Sequence, residues 1–294
     1  MAPEHSLNPP ARVAAITVSF GSLEVLPGLL ASIVTASASP VLTVVADNKA
    51  QSEDNAAALA AQFGAGYVPL PTNVGYGGAI NAAVATLPAS VEWILVVNPD
   101  VVLRPGSIDT LARTGDSDPA IGSVGPLTLT SDGDVYPSAR SVPSLRTGVG
   151  HALFVNLWLD NPWTRAYRND TATEPVRRDA GWLSGACVLV RRSSFSELGG
   201  FDDGYFMYFE DVDLGYRLGK AGYRNVYDPD ASVVHTGAHS TNSDSERMIA
   251  AHHDSARRFL NRKYSGALLW PIRVSLTIGL QLRSGLVRRR VNRQ

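Results

Sequence analysis

Three carboxylates fall within four residues at Glu210-Asp211-Val212-Asp213, directly after the aromatic run Tyr205-Phe206-Met207-Tyr208-Phe209. Acids crowded against apolar bulk have raised pKa values and can take a proton from a substrate hydroxyl. At a helix start they would also meet the favourable end of the dipole, which accounts for one or two of them without any chemistry. The clustering favours function, with one of these carboxylates as a general base. A second carboxylate, Asp100, closes Asn98-Pro99-Asp100 after an apolar run. A carboxylate just past a buried strand can hold Mg²⁺ or Mn²⁺ shared with substrate phosphates. It can equally stabilise a turn. His235 ends an extended run and His239 follows four residues later, with no HExxH pattern and no third ligand for a zinc pair. One histidine joining Asp100 on a cation is the better reading.

Two further groups stand where a nucleotide could bind. Asp47-Asn48 ends an apolar run; it either caps the next helix or presents a carboxylate to a nucleobase. Asn73-Val74-Gly75-Tyr76-Gly77-Gly78 precedes a helical stretch, and such glycines let backbone N–H groups approach a phosphate or simply make a tight turn. The dinucleotide fingerprint fails here, because Ile80 stands at its third glycine and the patch follows a later strand. A dehydrogenase is excluded.

These residues need a scaffold, and the hydrophobic pattern supplies one. Residues 13–20, 41–46, 67–70 and 93–97 read as short buried strands. Residues 23–36, 55–63, 75–87 and 108–113 read as helices between and after them. Such alternation means βαβ units and a parallel sheet, with ligands outside the carboxyl ends of the strands. Asp47 and Asp100 both fall at such ends. Residues 131–180 form a long irregular excursion, with a short helix near 148–158 and the aromatics Trp158, Trp163 and Tyr167 as evidence of order. A strand over 182–191, a helix over 209–221, an extended run over 225–234 and a helix from 243 to about 264 complete the reading.

Of 294 residues, 45% are apolar and 18% charged, which describes a folded globular chain. A single cysteine, Cys187, excludes an intrachain disulfide framework and makes a reducing compartment the default. The net charge of −1 hides an asymmetry. Residues 255–294 hold ten basic residues and no acid, leaving 16 basic and 27 acidic residues before them, so a body of −11 carries a tail of +10. Such a tail suits an anionic surface. Residues 1–12 lack the apolar run of a signal peptide, and no uncharged stretch is long enough to span a bilayer. The expectation is a cytoplasmic protein, peripheral at the inner face of the membrane through Trp270, leucines and arginines of the tail. A protein-docking helix is the other reading of that segment. The acidic body and the lack of a groove-reading motif argue against nucleic acid; a homo-oligomer stays open.

Together these pieces resemble the inverting family-2 glycosyltransferases, which have the GT-A fold. The resemblance covers about residues 12–265 and rests on the strand at 14–20, Ala46-Asp47-Asn48, the glycine patch, Asn98-Pro99-Asp100, Gly199-Gly200-Phe201-Asp202, Glu210-Asp211-Val212-Asp213-Leu214 and Val234-His235. Within that family, Val135-Tyr136-Pro137-Ser138-Ala139-Arg140, Asn161-Pro162-Trp163-Thr164, Gly181-Trp182-Leu183-Ser184-Gly185, Tyr205-Phe206-Met207-Tyr208 and Ala238-His239-Ser240-Thr241 look like the rhamnosyltransferases acting on N-acetylglucosaminyl-diphospho-polyprenol.

The resemblance implies dTDP-L-rhamnose as donor, with Asp47 on its thymine and Ser19, Asn73, Gly75, Tyr76, Asn81 and Asp100 around the nucleotide. It implies Asp100 and His235 as metal ligands, Asp211 as catalytic base, and Trp182, Ser184, Gly185, Glu210, Asp213 and His239 around a GlcNAc-diphospho-polyprenol acceptor. Asn98 stands where the family's DxD motif has its first acid. Residues 49–54 depart from the usual Gly-Ser-x-Asp pattern. The implied organisation is a GT-A domain over 12–264, with a nucleotide-sugar half at 12–113, an acceptor half at 114–264, and a basic tail at 265–294. A galactofuranosyl or GlcNAc transferase of the same family and a non-catalytic nucleotide-sugar binder are the rivals.

Overall fold

Seven consecutive buried residues, Val13–Ser19, form β1 near the middle of a ten-stranded sheet in the computed structural model. The structure describes residues 11–53, 55–144, 175–237, 245–271 and 274. Strand β1 lies between β2 (Val41–Asp47) and β4 (Trp93–Val97) and is parallel to both; β3 (Gly66–Pro69) runs parallel outside β2. Helices cover both faces, which is why these strands read as unbroken apolar runs. Val13, Ala15, Trp93, Leu95 and Val97 share one core with α1 (Leu26–Ala36) and α4 (Ser107–Asp116). Ala14, Ile16, Val18, Ile94 and Val96 point the other way, into a core shared with α3 (Gly75–Val84). Helix α2 (Ala57–Gln62) is a short connector. The first helix starts at Leu26 rather than residue 23, with a proline in its first turn, where the missing N–H costs no hydrogen bond.

The later chain returns to finish the same sheet, in the order β3-β2-β1-β4-β11-β6-β12-β5. Strands β5 (Val101–Leu103), β6 (Ile121–Leu129), β11 (Cys187–Arg191) and β12 (Arg224–His235) supply this half. The sheet is parallel from β3 to β4 and again between β6 and β12; β11 and β5 enter antiparallel. Two short strands, β7 (Val135–Tyr136) and β9 (Arg178–Ala180), flank β6 and β12. A separate ribbon pairs β8 (Ala139–Arg140) with β10 (Trp182–Leu183). Helices α5 (Arg192–Glu197), α6 (Glu210–Lys220) and α7 (Ser245–Lys263) follow. No helix among the described residues is long and apolar enough to cross a membrane.

Two elements differ from expectation. Strand β6 is not legible as a strand because it contains Gly122, Gly125 and Pro126. Its glycines serve packing: a Cβ on Gly122 would lie 2.8 Å from the Tyr223 Cβ, and one on Gly125 would lie 3.0 Å from Leu183 Cδ2. Pro126 sits beside a register shift between Asp228 and Ser232, where a missing N–H is tolerated. The expected single strand over 182–191 is broken at Ser184-Gly185-Ala186, so that β10 and β11 belong to different sheets. The expected helix near 148–158, its flanking aromatics and His239 lie outside the described residues, as does most of the tail.

Candidate active site

The break between β10 and β11 carries the most constrained contact of the site. The Gly185 N–H donates to Asp211 Oδ2 at 2.9 Å, and the Gly185 carbonyl accepts from the Tyr76 hydroxyl at 2.9 Å. One residue, through its two flanking peptide groups, therefore connects α3, the strand break and the first turn of α6. The other Asp211 oxygen accepts from the Val212 N–H at 2.8 Å. Burial raises the Asp211 pKa, while the Gly185 and Val212 amides and the nearby Arg140 charge pull it down. Its neighbour Glu210 is 7% exposed, with Oε2 lacking a hydrogen-bond partner. Burial first, then the Asp211 charge, raise the Glu210 pKa well above the carboxylate range. Tyr76 is held neutral by burial and by the same two acids. A basic carboxylate with surface still accessible, braced by two amides at a helix N-terminus, suits proton abstraction from an alcohol.

Asp100 and His235 form a second pair. Strands β5 and β12 bring them together by register: His235 lies opposite Val101, and Asp100 Oδ1 approaches His235 Nε2 at 3.2 Å. Thr236 holds the Asp100 carbonyl through its N–H and hydroxyl, each at 3.1 Å. The Asn98 amide stands 3.5 Å from His235 Nε2. The Tyr136 ring meets the His235 ring edge-on at 6.5 Å, and the Arg140 guanidinium lies 5.8 Å from the Tyr136 centroid. No group of three His, Cys, Asp or Glu side chains with metal-holding geometry occurs among the described residues. One carboxylate and one imidazole, both partly exposed, would suit a divalent cation that takes oxygen ligands from elsewhere.

The glycine patch is anchored from beneath. Gly75 has φ +83°, and a Cβ there would lie 2.3 Å from the Phe206 carbonyl oxygen. That approach allows the Tyr76 N–H to donate to the Phe206 carbonyl at 3.1 Å. Asn73 Oδ1 accepts from the Gly75 N–H at 3.0 Å. Asn48, which the sequence reading left without a role of its own, donates to the Gly75 carbonyl and accepts from the Val74 N–H. The Asn-Gly spacing and the strand end were visible signals for it.

Five expected contacts take a different form. Asp47 is 1% exposed; Oδ1 accepts from the Lys49 N–H, and Oδ2 from the Ala56 N–H and the Tyr67 hydroxyl. These bonds hold the turn after β2. Ser19 is 1% exposed, beneath that turn, and its carbonyl accepts from the Asn48 N–H. Asn81 is spent on the Phe201 backbone and Asp203 Oδ1, tying α3 to the 199–203 loop. Asp213 is fully buried and paired with Arg217 and Arg262, so it is a structural ion pair. Glu210 faces the interior. The Trp182 indole donates to the Ser141 carbonyl, and the Ser184 N–H donates to the Ser138 carbonyl, fixing the segment that ends at Gly185.

Comparison with known proteins follows this geometry. The model for "Glycosyltransferase like family 2" matches residues 9–253. The N-acetylglucosaminyl-diphospho-decaprenol L-rhamnosyltransferase of Mycobacterium tuberculosis is 46% identical over 284 residues, covering 94% of this chain and 92% of that protein. The rhamnosyltransferase WbbL of Escherichia coli K12 is 31% identical over 194 residues, covering 64% of this chain and 71% of that one. Among solved structures, the mannosyltransferase PcManGT of Pyrobaculum calidifontis, in complex with GDP-Man and Mn²⁺, superposes with TM-score 0.56 at 15% identity over 90% of this chain and 69% of that chain. Staphylococcus aureus TarS superposes with TM-score 0.54 at 15% identity, covering 85% of this chain and 66% of that one. The expected GT-A architecture is borne out, and the chain belongs to the family-2 glycosyltransferases.

Proposed function

We propose that this enzyme transfers L-rhamnose from dTDP-L-rhamnose to the 3-hydroxyl of GlcNAc-diphospho-polyprenol, with inversion, in synthesis of the arabinogalactan–peptidoglycan linker. The observation that carries the reading is the 46% identity to the mycobacterial rhamnosyltransferase across 94% of the chain. The presence of Asp211, Asp100 and His235 supports an active enzyme over a nucleotide-sugar binder.

Asp211 removes the proton from the attacking hydroxyl. Its basicity comes from burial beside Glu210, and its aim from the Gly185 and Val212 amides. General-base help of this kind contributes about 10²–10⁴-fold, and positioning supplies much of the remainder. A single displacement inverts the anomeric carbon, so no enzyme nucleophile is needed. Asp100 and His235 would hold Mg²⁺ or Mn²⁺, which supplies charge neutralisation for the departing nucleoside diphosphate. Asn73, Gly75 and Tyr76 border the donor; Trp182, Ser184 and Gly185 border the acceptor. The domain spans 12–264. The basic segment beyond it lies on the anionic cytoplasmic leaflet, where a lipid-diphosphate acceptor resides. Leu268 at 93% exposure and Trp270 at 59% lead into that segment and suit an interfacial position.

The test is turnover with a panel of nucleotide sugars against a short-chain GlcNAc-diphospho-prenol. Product with dTDP-L-rhamnose alone is the expected result. Transfer of galactofuranose or GlcNAc instead identifies a different member of the family, and donor binding without turnover identifies a binder.

A further inference from the structure

The first turn of α6 is reached through two successive bulky residues in the left-handed region, Tyr208 and Phe209, both at φ +65°. Such a conformation is strained for bulky residues and persists only where the surroundings impose it. Helix α7 supplies those surroundings. Ser255 Oγ donates to the Met207 carbonyl at 2.8 Å. The His252 ring meets the Tyr208 and Phe209 rings at 5.5 and 5.4 Å. Phe259 is fully buried against Phe209 and Tyr216.

The ionic contacts of α7 bracket the strained pair. Asp202 lies before it and accepts from Arg258 at 2.7 Å and from Arg262 Nη2. Asp213 lies after it and accepts from Arg262 Nη1 at 2.8 and 2.9 Å. A single guanidinium therefore closes the loop whose far side carries Asp211. Asp213 keeps a second partner, Arg217 Nε at 2.6 Å, so it stays paired when Arg262 is lost.

We propose that Arg262 is a positioning residue for the reaction: by joining Asp202 to Asp213 across the strained turn, it holds Asp211 against the Gly185 N–H. The inference rests on Asp211 being the base. It assigns α7 a task in catalysis, distinct from any role in membrane attachment.

The experiment compares Arg262→Met, Arg262→Lys, Ser255→Ala and Asp211→Asn in the full chain with a soluble short-chain acceptor. Arg257, on the same helix, pairs with Asp254 on the surface, so Arg257→Met serves as control. Arg262→Met should lower kcat about 10–100-fold, the range set by a misplacement near 1 Å, with the donor KM within about twofold of wild type. Its kcat–pH acid limb should move upward, because the Gly185 amide lowers the Asp211 pKa and loosening that bond releases it. Glu210, Tyr76 and Arg140 also face Asp211 and are unchanged in this variant. Arg262→Lys should recover part of kcat. If Arg262→Met does not fold, as judged by thermal unfolding, Ser255→Ala decides, with a smaller kcat loss and the same upward shift. Wild-type kcat and pH profile in a folded Arg262→Met, or in Ser255→Ala where it alone folds, overturn the proposal. An active Asp211→Asn overturns instead the assignment of the base.

Discussion

The Gly185 backbone meets Asp211 with its N–H and Tyr76 with its carbonyl, each at 2.9 Å. Tyr76 thus braces Asp211, the proposed base, at second hand through the backbone on either side of the Gly185 Cα. Tyr76→Phe removes one hydroxyl and leaves that carbonyl without its donor. An unsatisfied buried group costs about 1–3 kcal/mol. Reduced thermal stability and a lower kcat are expected from unfolding curves and steady-state rates.

Asp211→Asn keeps the shape of the site and abolishes its basicity. Turnover should fall by about 10²–10⁴-fold, while calorimetric binding of the nucleotide sugar persists. Near-wild-type turnover would assign proton removal to another group.

Glu210 gives a stability prediction with a defined sign. Its pKa in the fold lies above the 4.5 of a free glutamate because burial and Asp211 oppose its charge. The folded state therefore holds the proton more tightly than the unfolded one. This contribution is fully present below pH 4.5 and is lost as pH rises through the folded value. Glu210→Gln cannot ionise, so its melting temperature should exceed that of the wild type at neutral and alkaline pH and converge with it near pH 4. Each kcal/mol corresponds to about 2–4 °C for a chain of this size. Parallel pH–melting curves for the two proteins would count against the buried, protonated acid.

Asp100→Asn and His235→Ala each remove one half of the pair that meets at 3.2 Å. Both should weaken Mn²⁺-dependent donor binding about tenfold or more, and chelation should depress wild-type turnover far more than that of either variant. Metal titrations that superpose on the wild type would remove the cation from these residues.

Truncation after Tyr264 takes away the basic tail together with Leu268 and Trp270. Sedimentation with vesicles containing anionic lipid should drop while nucleotide affinity stays constant. Unchanged sedimentation would assign the segment to protein contact.

The β1, β2 and β4 runs, the helices between them and the Asp100–His235 pair were legible because buried strands leave an apolar signature and end abruptly at polar residues. Strand β6 was not, since Gly122 and Gly125 are chosen for the neighbours that press on them rather than for strand propensity. The acidic cluster could be read from its aromatic surroundings, and the family resemblance singled out Asp211. Asp213, two residues away in the same cluster, could not be told from it, because the deciding facts are Arg217 and Arg262, which reach it from elsewhere in the chain. Asp47 shows the same limit: a carboxylate at a strand end is visible in sequence, but the Ala56 N–H and Tyr67 hydroxyl that occupy it are not.

The interleaved sheet has a consequence for dissecting this enzyme. Strand β4 gains its second neighbour only from β11, and β5 pairs with β12, so residues 93–103 are flanked by strands made much later in the chain. A fragment ending at residue 113 would display the free edges of two apolar strands and invite intermolecular pairing. Residues on the two sides of position 113 should therefore fold as one unit, and truncations there should yield insoluble product.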